Sequence, residues 1–377
     1  MPFDRTSWNL SASIDSIRTG ADPEDVNGIS SLYAVQPEFD PTLGYFTGTH
    51  RTGPYHVDLS YLTDERDYKT RTNSLFGRPG FWIYNDLSTY GAEQLDIFKN
   101  LTPNVSSVNL HNLSGIVSEY ALYGMFCGNL NVLSVDGPRP ISLSATYGLA
   151  GYARGTRLPC DFPDLTSITT AATYVFTNAF YSAQPKYNEL MTNETPERYF
   201  PNLKSTQANY TFNSVLAFYR PHHNKRLEFS ELTTIGGAYA FSHTASESEF
   251  QSVAFPKLSV VTHATTTNGN CTFDRLCYFC QSLTSVEFPE LTGIYNNYTF
   301  QYAFERCPKL AHLEFPKLKT IGTTTNGNYY GTGVFYAACQ NSLALSSVAF
   351  PELTSILTSG TNHFYGLMNS NNVMPSG

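Results

Sequence analysis

Residues 280 to 321 read CQSLTSVEFPELTGIYNNYTFQYAFERCPKLAHLEFPKLKTI, one pattern stated twice. Cys280-x-x-Leu283-x-x-Val286-x-Phe288-Pro289-x-Leu291-x-x-Ile294 returns as Cys307-x-x-Leu310-x-x-Leu313-x-Phe315-Pro316-x-Leu318-x-x-Ile321, 27 residues later. A long pattern recurring every roughly 20 to 50 residues marks a solenoid or another stacked array, because one unit alone cannot bury its apolar face.

Further copies of the nine-residue frame follow. Val108 to Ile116 carries it with His111 in place of the proline, and Cys160 to Ile168, Leu227 to Ile235, Val253 to Val261 and Val348 to Ile356 fit closely. Arg198 to Thr206 fits more weakly, and residues 133 to 141 are degenerate. Eight or nine rungs thus fill residues 98–377. Their frame is constant while the linkers vary, and Thr265 to Asn270 repeats as Thr323 to Asn328. Both inserts contain Asn-Gly, which supplies a tight turn, and such inserts map to loops on one side of a solenoid. Residues 1–97 carry no copy but have Pro and Gly punctuation and a short apolar run at 79–87 that reads as a buried strand. We read them as an N-terminal cap or attachment region, the alternative being a divergent first rung with a long arm.

The frame explains the coil. Alternation puts Val286 and Phe288 on one face of a short strand and Glu287 on the other. Pro289 lacks an N–H and ends the ladder. Leu291 and Ile294, three apart, suit a turn or short helical bend on the return. The aromatic residues near the cysteines (Phe126, Phe279, Phe304 and Phe335) are expected to fill the interior of that return. Rungs stacked about 4.8 Å apart give a rod on the order of 40 Å long. The expected fold is a β-rich α/β solenoid with one parallel strand per rung.

Ala303-Phe304 through Ile321 resembles the leucine-rich repeats, specifically the BspA-type (Treponema-type) branch, whose phrase is a-F-x-x-C-x-x-L-x-x-V-x-(F/L)-P-x-L-x-x-I. The resemblance covers about residues 98 to 368, with longer rungs than are usual in that branch. It implies binding to a protein or a cell surface rather than catalysis. Similar proteins lie on the surfaces of gut and oral bacteria, and related repeats occur in parasitic protists and phage particles.

Composition narrows the function further. The chain has 377 residues, formal net charge −8, 14% charged residues, and 26 each of Tyr and Phe. The acidic balance argues against a nucleic-acid partner. No window approaches the roughly 18 apolar residues of a membrane span, so no membrane insertion is expected. The start, MPFDRTSWNLSASID, lacks a basic, apolar secretory leader. Either a leader is lost or the chain reaches an external place another way, such as incorporation into a virion. No nucleotide-binding, zinc-protease or nucleophile-elbow motif is present, so the chain reads as a non-enzyme without cofactors.

Three surfaces compete as ligand sites. The exposed strand face carries Arg226, Glu228, Ser252, Ser285, Glu287, His312, Glu314 and Ser347. Glu287 and Glu314 fall on consecutive rungs, a like-charge cost that a basic partner or a cation would relieve. The insert loops carry Tyr295, Tyr298, Tyr329 and Tyr330, with Tyr302, Tyr336 and Phe364 nearby, side chains suited to adaptable binding. The basic run Arg220 to Arg226 is either an anion or glycan contact or a solvated loop. Cys271, Cys277 and Cys280 could be read as metal ligands, but a second C-x-x-C to pair with Cys277 and Cys280 is lacking. Cys280, Cys307 and Cys339, with Cys127 nearby, are instead expected to form one buried column. The Asn-x-Ser/Thr triplets carry little weight in so Asn-, Ser- and Thr-rich a chain. After Ile356 the sequence shows no polar closing helix, so an uncapped ladder edge is expected to recruit another copy or a partner chain.

Overall fold

The computed structural model describes residues 110–116, 134–185, 199–221, 225–262, 271–325, 328–330, 333–357 and 362–369, with isolated positions between 122 and 126 and four earlier strands. Those strands are Glu38–Asp40, Tyr45–Thr47, Tyr55–Asp58 and Val105–Asn109. Tyr55–Asp58 pairs in parallel with Val105–Asn109, which pairs in parallel with Ser134–Asp136. Most of the cap expected over 1–97, including the strand at 79–87, lies outside the described residues.

The array is a solenoid whose rungs have three walls. The strand wall is a five-stranded parallel sheet of Arg226–Glu228, Ser252–Ala254, Ser285–Glu287, His312–Glu314 and Ser347–Ala349. The back wall stacks two-residue strands in one eight-stranded parallel sheet, from Ser142–Leu143 to Ser355–Ile356. The segment expected to form a turn or short helical bend is a corner followed by a strand: Gly293–Ile294 pairs with Val260–Val261 and Thr320–Ile321. The three-residue spacing of Leu291 and Ile294 reflects a corner followed by a strand, with both side chains fully buried. The corner hydroxyl of Thr292 donates to the Ser259 carbonyl of the previous rung at 3.0 Å, as Thr354 donates to Lys319. The described residues contain no α-helix.

The third wall is a run of overlapping turns. Its residues alternate two outward and two inward, as in (Thr299-Phe300)(Gln301-Tyr302)(Ala303-Phe304), where Thr299, Phe300, Ala303 and Phe304 are buried. The N–H groups of Phe300, Tyr302 and Phe304 donate to the next rung, at Val334, Tyr336 and Ala338. Those of Gln301, Ala303 and Glu305 donate three residues back within the rung. Every fourth residue has positive φ, such as Tyr298 (50°), Tyr302 (51°) and Arg306 (58°). A side chain in that conformation costs roughly 1–2 kcal/mol. The cost is borne because the inter-rung hydrogen bonds over-determine the backbone.

Two phenylalanine stacks meet in the core. Phe162, Phe200, Phe229, Phe255, Phe288, Phe315 and Phe350 enter from the Phe-Pro corner, with neighbouring centroids 5.1 to 5.6 Å apart. Phe176, Phe212, Phe241, Phe273, Phe300, Phe335 and Phe364 enter from the turn wall at 4.8 to 5.7 Å. The stacks interlock edge to face: Phe288 touches Phe273 at 5.5 Å and Phe300 at 5.2 Å. Offset-stacked and edge-to-face contacts are the favoured aromatic geometries.

Register corrects several expectations. Phe126, Phe304 and Phe335 are buried, but Phe279 is 39% exposed. Cys277, not Phe279, is the rung-equivalent of Phe304, because Cys277 N–H bonds to the Ala303 carbonyl. Likewise Phe304 N–H bonds to the Ala338 carbonyl, which aligns Cys339 with Phe304 and Cys277 rather than with Cys307. The column of Cys280 and Cys307 continues to Ser342, whose hydroxyl accepts the Cys307 N–H at 3.0 Å. Phe364 belongs to the core stack, not to a loop surface. Cys127 lies outside the described residues.

The insert at 323–328 forms the expected hairpin. Thr323–Thr325 pairs antiparallel with Asn328–Tyr330, while 326–327 lie outside the described residues. The copy at 265–270 lies outside the described residues. At the Phe-Pro-x corner the x residue alternates in sign over five rungs: Glu231, Lys257, Glu290, Lys317 and Glu352. Lys257 reaches Glu231 at 2.7 Å and Lys317 reaches Glu290 at 2.7 Å. Arg139 reaches Asp164 at 3.3 Å in the same column farther up. These pairs are exposed, and each stabilises by at most about 1 kcal/mol.

Candidate functional site

The strand wall brings all eight predicted face residues together. Alternation sends Leu227, Val253, Val286 and Leu313 inward and leaves their neighbours outward. One outward column runs Arg226, Ser252, Ser285, with His312 and Ser347 farther along; the other runs Glu228, Ala254, Glu287, Glu314 and Ala349. Glu287 and Glu314 are direct neighbours, as expected. Relief for Glu287 comes from within the chain. Arg226 reaches over the small Ser252–Ala254 strand and donates to both Glu287 oxygens, at 2.7 and 2.9 Å. Its Nε donates to Glu228 at 2.6 Å, and Ser230 donates to the other Glu228 oxygen at 2.8 Å. The Arg226 hydrogen bonds hold both carboxylates below their ordinary range and raise Arg226 in turn. His312 meets the Ser347 hydroxyl at 2.9 Å.

The predicted insert aromatics do not form one surface. Tyr295 lies over Gly293 on the back wall, where an added Cβ would stand 2.6 Å from its phenol oxygen. Tyr298 belongs to the turn wall and packs on Gly333, where a Cβ would stand 2.5 Å from its ring. Tyr329 and Tyr330 lie in the hairpin. Tyr302 and Tyr336 meet on the turn wall at 5.7 Å. Of the basic run, residues 222–224 lie outside the described residues, and Arg220 pairs with Glu249 at 3.3 Å.

The turn wall carries an aromatic column outside the residues expected from the sequence. Tyr147, Tyr174, Tyr210 and Tyr239 occupy one left-handed position on consecutive rungs. Their rings stack at 4.9, 4.5 and 4.9 Å, within 8° of parallel. The signal was available in the recurring Tyr-x-Phe phrase at 174, 210, 239 and 298, which places a tyrosine outward two residues before each core phenylalanine. Farther along this wall, burial lifts Asp274 to about 6, against the pull of Arg275 and Ser242. Burial, aided by Arg275, lowers His243 to about 4. Arg275 sits 3.1 Å from Asp274 and lies over the Tyr302 ring at 4.8 Å.

The cysteines are structural in placement. Cys271, Cys277, Cys280, Cys307 and Cys339 are free and buried, and Cys160 is buried. The Cys280 thiol donates to the Ala245 carbonyl at 2.9 Å and the Cys307 thiol to the Cys277 carbonyl at 3.0 Å. Burial pushes Cys277, Cys307 and Cys339 upward. Among the described residues no three His, Cys, Asp or Glu side chains stand together as metal ligands, and no helix is long and apolar enough to cross a membrane. Two Asn-x-Thr triplets are committed to the fold: Asn297 is 9% exposed, and the Asn209 amide oxygen accepts the Ala238 N–H at 2.8 Å.

No family model matches the chain, and no curated protein matches it. Among solved structures it is similar to a leucine-rich repeat protein from Bacteroides ovatus ATCC 8483, with a crystal structure at 1.19 Å resolution. The likeness covers 71% of this chain and 77% of that one, at 17% identity and a TM-score of 0.18. The solenoid stands on this chain's own strand pairing and ring stacks.

Proposed function

We propose that the chain is a non-enzymatic recognition module, a leucine-rich-repeat array of BspA type that acts at a bacterial or particle surface. One contrast supports this reading. The inward column at the Phe-Pro corner is phenylalanine on seven rungs, whereas the outward strand columns change from Arg to Ser to His and from Glu to Ala. A uniform interior with a varied exterior is how a repeat array displays an extended binding surface. The test is binding of the fluorescently labelled chain to intact bacterial and epithelial cells. Saturable binding, competed by unlabelled chain, is expected; non-saturable uptake on every surface would overturn the reading.

A second reading, a structural part of a larger assembly, is favoured by the last described rungs. Leu343 is 56% exposed, Ile356 and Leu357 are 47% exposed and Tyr365 is 59% exposed. In this reading another chain or another copy covers that end. Light scattering of the full chain would return an oligomer mass, and a monomer mass at all concentrations would sink it.

A further inference from the structure

We propose that the turn wall over residues 146–247 is the contact face for a linear, uncharged glycan. This deepens the recognition reading and rests on it. The first observation is the tyrosine stack itself, four half-buried phenols in a line along the solenoid axis. The backbone does not require tyrosine there. On later rungs the same left-handed position is filled by Cys271, Tyr298, Gly333 and Asn362, of which glycine and asparagine are the residue types that adopt it most readily. The tyrosines thus hold a disfavoured backbone conformation that smaller residues would fill at less cost.

The second observation is what surrounds the stack. The next outward positions are Thr177, Asn178, Asn213 and Ser214, with Gly151 leaving bare backbone on the rung before and the pair Ser242-His243 on the rung after. Beyond them Phe218, 36% exposed, lies 5.2 Å from Tyr181 as a second aromatic edge. Among the outward turn-wall positions of these rungs only Arg154 and Glu247 carry a full charge, and Arg154 is laid over the Tyr181 ring at 4.9 Å. The stacked rings turn edges and phenol hydroxyls outward rather than faces, and with the neighbouring hydroxyls and amides these match a sugar's rim of hydroxyls, while the exposed Phe218 offers an apolar surface to its C–H groups. The charged groups of the strand wall lie elsewhere, with Arg226 and Glu287 paired to each other and Glu314 exposed beside them. The stack also repeats over four consecutive rungs. A polymer of identical units lying along the axis would meet equivalent groups repeatedly, and such contacts add up without any single strong one.

The test is calorimetric titration of the full chain with hexasaccharides of β-1,4-glucose, α-1,4-glucose and β-1,4-N-acetylglucosamine, with a hyaluronate hexasaccharide as the charged comparison. At least one neutral chain is expected to bind, and more tightly than hyaluronate. The double variant Tyr174→Asn with Tyr210→Asn uses the residue already accepted at Asn362, so its backbone is not newly strained. It should bind about tenfold more weakly. Phe218→Asn, which copies Asn341 at the equivalent position and leaves the stack intact, should also weaken binding. Lys317→Ala, at the far corner, should not. Absence of binding to all neutral probes, tighter binding of hyaluronate, or full binding by both aromatic variants would overturn the proposal. If the chain still binds cells saturably in that event, recognition stands and only the glycan assignment fails.

Discussion

Phe288→Ala tests the core directly. Phe288 is 1% exposed. It stacks on Phe255 at 5.1 Å and Phe315 at 5.5 Å, and meets Phe273 and Phe300 edge-on. Truncation forfeits a transfer term of about 2 kcal/mol. A void of roughly 100 Å³ adds about 2.4 kcal/mol at about 24 cal/mol per Å³. The expected loss is therefore about 4–5 kcal/mol, at the upper end of what large-to-small aromatic truncations cost. Phe364→Ala is the internal comparison. Phe364 is only partly buried and keeps Phe335 at 5.7 Å and Phe350 at 5.4 Å as stacking and edge partners. With fewer ring contacts and less burial, its loss should be about half as large. Urea unfolding followed by far- and near-ultraviolet circular dichroism measures both. Because each rung contacts only its neighbours, Phe288→Ala should also broaden the transition by uncoupling the two halves of the array. Equal losses for the two variants would refute the additive reading of the interlocked stacks.

Two further outcomes are expected. Asp274 titrates at about 6 in the folded chain against an ordinary 3.8, so its contribution to stability is full below about pH 3.8 and falls as pH rises towards 6. His243 titrates at about 4 against an ordinary 6.5, so its contribution is lost at low pH and rises between pH 4 and 6.5. The two oppose each other in the parent. Melting temperatures at pH 4 and 6.5 should show Asp274→Asn stabilised by the higher pH and His243→Gln destabilised by it; identical profiles for both would refute the assignment. Gly151→Ala meets nothing closer than 3.8 Å but keeps φ near 64°, so it isolates left-handed strain and should cost about 1–2 kcal/mol in urea unfolding.

Much of the strand wall was legible in the sequence because its period is that of a strand. Val286 and Phe288 point inward, Glu287 outward, and Asn326-Gly327 marks a hairpin, all from local rules. The turn wall was not legible for the same reason. Its two-in, two-out alternation has a period of four, which matches neither strand nor helix. Its left-handed positions carry Tyr, His and Arg, which do not announce that conformation as glycine does. Cys339 was misplaced because cysteines were aligned by type, whereas the rung register aligns it with Phe304. The tyrosine stack escaped notice because Tyr-x-Phe is too short a phrase to stand out until the rungs are superimposed. On the strand wall, Arg226 could be named but not its reach across an intervening rung to Glu287, which depends on the small Ser252 and Ala254 between them.

The alternating corner charges have a genetic corollary. Removing the single rung that carries Lys257 would set Glu231 directly against Glu290, and removing the one with Glu290 would set Lys257 against Lys317. Removing two successive rungs would restore opposite neighbours. Over this stretch an array that gains or loses units by unequal recombination is electrostatically tolerated in even steps, so its length carries a parity.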